Sequence, residues 1–223
     1  MSTRLQQKPL VDINGKYMIQ HVYERALKSN LDDVIVACDD IKVFEAVTSF
    51  GGKAMMTSKD HLNGSSRIAE VAKDISADYV INIQGDEPLI TPILINEIIN
   101  AVEPSVHVVT VKQKLIEDKD IDNPNCVKVI TDLNNNAIYF SRSRIPFNRE
   151  NFNNYYKHIG IYCYQKDFLM KYVELKPSSL ELAESLEQLR IIENGYKLKV
   201  IETTQVLIGV DTEEDLAHVR KLL

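Results

Sequence analysis

The chain has 223 residues, of which 44% are hydrophobic and 26% are charged. These values predict a packed globular core and exclude a disordered or fibrous chain. The formal net charge of −6 argues against a general nucleic-acid-binding protein, which would usually be basic. A nucleotide substrate stays open, because a local basic pocket is enough to hold one.

The cysteines and the apolar segments indicate the cellular compartment of the protein. Three widely spaced cysteines without a C-x-x-C pair are typical of reduced thiols in the cytoplasm and not of a zinc site. No apolar run approaches the ~18 residues that a membrane span needs, and none follows Arg4 as in a signal peptide. We therefore expect a cytoplasmic protein with no membrane partner and no nucleic-acid partner.

The first half of the chain alternates helical and extended patterns. Residues 17–29 carry an apolar helical stripe, and further helices are predicted over 41–50, 66–74 and 91–102. Between them lie segments that predict strands: "VIVAC" and "DYVINI", which are typical of buried strands, and "KAMMTS" and "VHVVTVK". Strands that alternate with helices of about ten residues predict βαβ units and a parallel sheet.

The second half changes rhythm. "CVKVITDLNNNAIYFSRS" predicts two strands joined by an Asn-rich turn, followed by a strand "KHIGIYCY" and a helix "KDFLMKYVE". "SLELAESLEQLRIIENG" predicts one helix that ends at Gly195, and "KLKVIETT" a strand. Asp211 is predicted to cap the last helix. The fold class is thus α/β, a doubly wound and mostly parallel sheet in one domain, residues 1–223, with an inserted antiparallel hairpin arm around residues 125–165.

Several familiar nucleotide and hydrolase motifs are absent from the sequence. It contains no G-x-G-x-x-G after a strand, no G-x-x-x-x-G-K-[ST], no H-E-x-x-H and no G-x-S-x-G. These absences weigh against an NAD dehydrogenase, a P-loop enzyme, a zinc protease and an α/β-hydrolase.

Two carboxylates follow predicted strands. Sheets of this kind bind ligands at the carboxyl ends of their strands. Asp86, in "INIQGDEP", follows one strand end, and Asp211, in "GVDTEEDL", follows another. A pair of carboxylates at one cleft suits Mg²⁺, which completes its shell with phosphate oxygens and water. The alternative is structural, with Asp86 in an acidic turn and Asp211 as a helix cap.

Other candidates have equally plain structural alternatives. Gly64, Ser65 and Arg67 stand at a predicted helix start that would hold an anion or only cap the helix. His158 and Tyr162 lie on one face of a strand, as ligands or as packed side chains. Arg142, at the end of the hairpin, faces either a carboxylate or solvent.

In this order the segments resemble one family along nearly the whole chain. They are STRL-x-x-KPL, VIVACD, NG[ST]-x-R-[IL]AEV, N-x-QGDEP, NPN-x-VKV, FSRS-x-IP, H-x-GIY, LEQLR and GVDT. The chain resembles the 3-deoxy-manno-octulosonate cytidylyltransferases, a family of Rossmann-like nucleotidyltransferases. Members transfer CMP from CTP to the sugar acid 3-deoxy-D-manno-octulosonate (Kdo) for lipopolysaccharide biosynthesis and release pyrophosphate.

The resemblance implies a role for each matching residue. It implies that Asp86 and Asp211 bind Mg²⁺, and that Arg4 and Lys8 belong to the loop that holds the CTP phosphates. Gly64, Ser65, Arg67 and Gln84 match the nucleotide side of the site. The sugar-acid pocket would be formed by Arg142, His158, Tyr162, Glu187 and Gln188. The family also implies a homodimer formed through the hairpin region.

The chain departs from the family pattern near its first residue. The pattern places a buried strand and an Ala-Arg-Tyr-like segment before STRL, so we expect the usual N-terminal strand to be lacking. Gln6 and Gln7 replace a Pro-Gly before the lysine, and Ser66 replaces an acidic residue. Two alternative functions stay open: the same chemistry on 8-amino-Kdo or a related sugar acid, and a non-catalytic protein that binds a nucleotide sugar.

Overall fold

The computed structural model describes Leu5, residues 7–150 and residues 152–223. By its internal contacts the chain divides into two compact units. Unit 1 comprises Met1–Ser76, Ile83–Ile99 and Gln205–Leu223, and unit 2 comprises Ala77–Asn82 and Asn100–Thr204. Unit 2 includes the whole of the predicted insertion around 125–165. The prediction of one domain over 1–223 stays a prediction.

The described residues form ten strands and nine α-helices. The strands are β1 Asp12–Ile13, β2 Lys16–Tyr17, β3 Val36–Cys38, β4 Ala54–Met56, β5 Tyr79–Asn82, β6 Val108–Lys114, β7 Lys128–Thr131, β8 Ala137–Ser141, β9 Tyr156–Gln165 and β10 Leu198–Thr203. The helices are α1 Met18–Ala26, α2 Ile41–Ser49, α3 Gly64–Lys73, α4 Pro92–Asn100, α5 Asp118–Ile121, α6 Lys166–Glu174, α7 Ser179–Glu184, α8 Leu189–Glu193 and α9 Glu213–Leu222.

Unit 1 contains the parallel pair β3–β4 and the antiparallel ribbon β1–β2. Helices α1 and α2 place their apolar stripes around β3, so that Ile19, Cys38, Val43 and Val47 share one buried cluster. A second cluster joins Ile13 and Met18 to side chains of the last helix and of the segments beside it: Leu89, Val210, Leu216 and Val219. These two clusters fix the loops that carry the candidate residues of this unit.

Unit 2 contains a six-stranded sheet with the order β10-β6-β9-β7-β8, and β5 also pairs with β9. Strands β6 and β10 are parallel, whereas β9 runs antiparallel to both β6 and β5. The first five residues of β6 are all buried, including the polar side chains of Thr110 and Lys112. The α/β class is confirmed, and the sheet of this unit is mixed.

The predicted hairpin is confirmed. Strands β7 and β8 pair antiparallel around the Asn-rich turn, where Asn135 adopts a left-handed φ of 60°. The Asp132 carboxylate accepts hydrogen bonds from the backbone N–H groups of Asn134 and Asn136, which closes the turn.

The prediction of one helix over 179–195 is wrong. Two short helices, α7 and α8, replace it, and Ser185 between them has a left-handed φ of 52°. The reason is tertiary: the Arg142 guanidinium donates to the backbone carbonyls of Glu184 and Ser185. Arg142 N–H and the Ser141 hydroxyl also bond to the Glu184 carboxylate. These bonds outweigh the helix propensity of the segment. Gly195 ends α8 with a φ of 78°, as predicted.

The predicted cap of the last helix is also wrong, because Thr212 and not Asp211 caps α9. The Thr212 hydroxyl accepts from Asp215 N–H at 3.1 Å, and the Asp215 carboxylate accepts from Thr212 N–H at 2.9 Å. This reciprocal capping box leaves the Asp211 side chain with another partner. Among the residues that the structure describes, no helix is long and apolar enough to span a bilayer.

Candidate active site

Lys8 stands at the start of a short 3₁₀ turn, Lys8–Leu10. Gln7, immediately before it, adopts a left-handed φ of 49°. That backbone conformation is easy for glycine and strained for other residues, which gives a physical reason for the glycine that the family pattern places here. Leu5 and Val11 on either side pack against the cluster of Ile13 and Met18, and so anchor the loop. Arg4 lies outside the described residues.

The main chain brings the segments of Asp86 and Asp211 together. Val210 N–H donates to the Asp86 carbonyl at 2.9 Å, and the Val210 side chain is fully buried. Gly85, before Asp86, lies so close to α1 that a Cβ there would be 3.2 Å from Ile19 Cδ1. The two aspartates, 125 residues apart in the chain, are therefore neighbours.

Both carboxylates contact the same ammonium group. Lys8 Nζ lies 2.7 Å from Asp86 Oδ2 and 2.7 Å from Asp211 Oδ1. Burial acts to lower the pKa of Lys8, but the hydrogen bonds to Asp211 and Asp86 outweigh it and raise the pKa. The lysine is therefore cationic at neutral pH. Asp86 and Asp211 thus converge on one point, although Asp211 does not directly follow a strand, since β10 ends at Thr203.

The donor set at this point suits a hard divalent cation. Two carboxylates already gather around one positive charge, and their oxygen atoms are ligands that Mg²⁺ prefers. The described residues include no group of three or more His, Cys, Asp or Glu side chains able to hold a metal. A pair of carboxylates is enough, because Mg²⁺ usually binds one or two protein carboxylates and completes its coordination shell with phosphate oxygens and water. Asp86 and Asp211 thus fit a Mg²⁺ ion.

Arg67 lies on the first turns of α3, whose cap is Asn63: the Asn63 side chain accepts from Ser66 N–H at 2.9 Å. The Arg67 guanidinium is held at the ends of β3 and β4, by Asp39 at 2.7 Å and by the Thr57 hydroxyl at 2.7 Å. It is about four-fifths buried. Gly64 opens the same helix, Ser65 is buried beside it, and Gln84 belongs to the same unit as Arg67.

A cleft of about 420 Å³ lies beside these strand ends in unit 1. It is lined by Asp39, Asp40, Ile41, Met56 and Lys59. Its position agrees with the rule that ligands of open α/β sheets bind at the carboxyl ends of strands. The lining combines charged groups with apolar ones, which is the mixture that small polar ligands need.

The predicted sugar-side residues all belong to unit 2. His158 and Tyr162 on β9 have ring centroids 5.4 Å apart, so they share a face as predicted. Tyr162 stacks on Tyr164, which stacks on Tyr172. The Tyr172 hydroxyl in turn donates to the Glu187 carbonyl at 3.0 Å. Gln188 is buried at the start of α8.

Burial keeps His158 neutral, since it lowers the pKa of the imidazole to about 3. The Thr110 hydroxyl has one proton, and its shorter carbonyl contact is Ile161 at 2.8 Å. His158 Nε2, 2.9 Å from the same hydroxyl, then donates to it. This network assigns the proton to Nε2 and leaves Nδ1 as an acceptor.

Arg142 has structural partners. Its guanidinium donates to three backbone carbonyls, those of Pro124, Glu184 and Ser185. Lys128, fully buried on β7, donates to the Arg142 carbonyl at 2.6 Å and to the carbonyls of Asn123 and Cys126. Contact of Arg142 with a substrate carboxylate stays a prediction.

The prediction of the site residues missed three side chains that orient them: Asp39, Thr57 and Glu184. Asp39 and Thr57 hold Arg67, and Glu184 holds the backbone of Arg142. Asp39 follows the strand "VIVAC", so its position carried a signal. The pairing of Thr57 with Arg67 and of Glu184 with Arg142 could not be predicted, because hydrogen-bonding residues far apart in sequence cannot be paired from a single chain.

Similarity to known proteins identifies the enzyme class. Residues 1–201 match the family model described as cytidylyltransferase. With the α/β fold and the carboxylate pair, this match defines the class as a nucleotidyltransferase.

The relatives narrow the class. The 3-deoxy-manno-octulosonate cytidylyltransferase of Fusobacterium nucleatum is 54% identical over 222 residues, which is 98% of this chain and 91% of the relative. The enzyme of that name from Geobacter sulfurreducens is 47% identical and covers 100% and 95% of the two chains. A solved CMP:2-keto-3-deoxy-manno-octonic acid synthetase in complex with CTP has 44% identity and a TM-score of 0.94, with 100% of this chain and 93% of that chain covered. The chain therefore belongs to the 3-deoxy-manno-octulosonate cytidylyltransferase family, as the resemblance predicted.

Proposed function

We propose that this chain transfers CMP from CTP to the anomeric hydroxyl of Kdo and releases pyrophosphate. The observation that carries the proposal is the convergence of Asp86 and Asp211 on Lys8, at 2.7 Å each, in a chain of this family. Similarity to a relative solved with CTP supports the nucleotide, and the names of the curated relatives support the sugar acid.

The reaction needs positioning and charge stabilisation and no protein nucleophile. The sugar hydroxyl attacks the α-phosphorus of CTP, the bond to the β-phosphate oxygen breaks, and negative charge builds on the departing pyrophosphate. Lys8, and Arg4 by family resemblance, would direct positive charge at those oxygens. Mg²⁺ held by Asp86 and Asp211 would supply further neutralisation of phosphate charge when bound.

On the sugar side, Arg142, His158, Tyr162, Glu187 and Gln188 are the proposed contacts. His158 is neutral at physiological pH, so it serves there as a hydrogen-bond acceptor through Nδ1 and not as a cation. Burial raises the pKa of Tyr162 well above its usual value, so its phenol keeps its proton and can donate to a substrate oxygen.

We also propose a cytoplasmic homodimer that joins through the hairpin region. Leu133 and Phe147, on either side of β8, are almost fully exposed, which suits burial against a second copy. Light scattering on purified protein tests the dimer, and Phe147→Asp is expected to shift the equilibrium toward monomer. The proposal of a cytoplasmic location is supported by the three cysteines, which are free thiols and suit a reducing compartment.

The direct test is to incubate the full chain with CTP, Mg²⁺ and Kdo and to follow pyrophosphate. We expect release that Asp86→Asn reduces by about a hundredfold or more. Asp33→Asn is the matched control, because Asp33 is another lysine-paired carboxylate of unit 1, 2.7 Å from Lys53. Faster turnover of 8-amino-Kdo than of Kdo would reassign the sugar. A folded protein that binds CTP but releases no pyrophosphate with either sugar would support the non-catalytic alternative.

A further inference from the structure

We propose that Asp39 is a positioning residue for nucleotide binding and that it acts by fixing the guanidinium of Arg67. The inference rests on the proposed function, in which Arg67 lies on the nucleotide side of the site. Asp39 ends the quoted family segment VIVACD, but no role in the site was predicted for it.

The first support is the way in which the guanidinium is anchored. Arg67 Nη2 lies 2.7 Å from Asp39 Oδ2, and Nη1 lies 2.7 Å from the Thr57 hydroxyl. The Thr57 hydroxyl donates its proton to the Cys38 carbonyl at 3.1 Å, so its lone pair is directed at Arg67. Both anchors follow the parallel strands β3 and β4. Arg67 is thus fixed against two strand ends and not only on its own helix.

The second support is that Asp39 and Asp40 have different tasks. Asp40 caps α2, since its carboxylate accepts from Lys42 N–H at 2.9 Å. Asp39 closes no turn or helix in the described contacts, and its carboxylate bonds to Arg67. It also lines the cleft of about 420 Å³. Asp39 thus lies at the wall of a cleft and binds a cation, and in these contacts it caps no helix and closes no turn. This is the position expected of a residue that orients a ligand-binding group.

The physical reason is the cost of ordering a long side chain. An arginine that is free to rotate loses rotamer entropy when a ligand immobilises it, and this loss weakens binding. The ion pair with Asp39 restricts the guanidinium before the nucleotide arrives. The effect belongs to binding, so we expect it in the affinity for CTP and not in the chemical step.

The test is a double-mutant cycle on the full chain, with Asp39→Asn, Arg67→Met and the double variant. Isothermal titration calorimetry gives the Kd for CTP, and steady-state kinetics give KM and kcat. We expect Asp39→Asn to raise Kd and KM by about tenfold and to change kcat by less than about twofold. In the Arg67→Met background, Asp39→Asn should have no further effect. Asp33→Asn is the matched control: it removes a carboxylate that pairs with another cation of unit 1, Lys53 at 2.7 Å, and that does not line the cleft.

Three results would overturn the inference. They are an unchanged Kd in Asp39→Asn, equal effects of Asp39→Asn with and without Arg67, and an equal loss in Asp33→Asn. Thermal unfolding of each variant identifies a loss of folding, and Asp39→Glu is a second variant that retains the charge and should recover part of the affinity. Because CTP binding is measured without turnover, a failure of the proposed function would show separately, as wild-type protein that releases no pyrophosphate.

Discussion

Lys8→Met tests the reading of Lys8 as the cation between two metal-binding carboxylates. In the wild type, one ammonium neutralises Asp86 and Asp211 together. Without it, two like charges face each other with no described cation between them. Lys8→Met should therefore destabilise the chain when no divalent cation is present.

The exposure of the partners sets the size of the effect. The side chains of Lys8 and Asp86 are 25% and 33% exposed, whereas that of Asp211 is 75% exposed. The Asp86 contact should contribute about 1 kcal/mol and the more exposed Asp211 contact a few tenths. With about 2–4 °C per kcal/mol for a chain of this length, Tm should fall by about 3–5 °C in low salt with EDTA.

The divalent cation should then reverse the loss. On the proposed assignment of Asp86 and Asp211 as Mg²⁺ ligands, Mg²⁺ would compete with the ammonium in the wild type and would meet no competitor in Lys8→Met. Thermal unfolding over a Mg²⁺ titration without nucleotide, at constant ionic strength, should give a larger rise in Tm and a lower apparent Kd in the variant. Lys28→Met, a change at an exposed lysine of the same unit, should behave as wild type.

The reasoning would be refuted by a Lys8→Met protein with wild-type Tm in EDTA and a wild-type response to Mg²⁺. A variant whose Tm falls but does not recover with Mg²⁺ would mean that the two carboxylates do not form a metal site. Loss of pyrophosphate release alone would decide neither point, since Lys8 is also a proposed phosphate contact.

Three other changes give defined outcomes. Burial lowers the pKa of His158 from 6.5 to about 3. The free energy of unfolding should therefore decrease as the pH falls from 6.5 to 3, by up to about 1.4 kcal/mol per pH unit. Unfolding in guanidinium chloride over this pH range should show a weaker dependence of the unfolding free energy on pH for His158→Gln. Gln7→Gly should raise stability by about 0.5–1 kcal/mol by relieving the φ of 49°, measured as a higher urea midpoint, whereas Gln7→Ala should give no such gain. Gly209→Ala would place a Cβ 3.1 Å from Glu87 Oε1, beside Asp86, and should lower both Tm and the rate of pyrophosphate release.

The helices and strands that bury an apolar face could be predicted from the sequence. The segment "VHVVTVK" predicted the strand β6, and the apolar stripe of residues 17–29 predicted the helix α1. The break between α7 and α8 was beyond prediction, because it depends on hydrogen bonds from Arg142, more than forty residues away. The cap of α9 was misread although the sequence held the answer: Thr212 and Asp215 have the spacing of a capping box.

In the candidate site, too, some features could be predicted from the sequence and others could not. Strand topology predicted that Asp86 and Asp211 would meet, because the carboxyl ends of strands converge. The position of Lys8 between them depends on an irregular loop, so its role came from family resemblance and not from periodicity. The partnership of Asp39 with Arg67 joins the end of a strand to a helix 28 residues later, and no local pattern encodes that distance.

The bond from Val210 N–H to the Asp86 carbonyl has a consequence for how the site changes over evolutionary time. It is made by main-chain atoms alone, so the side chains at 86 and 210 can vary without breaking it. Proline at 210 is the exception, because it has no N–H to donate. The proximity of the Asp86 and Asp211 segments is in this way set by the path of the backbone, and Val210→Pro should separate them.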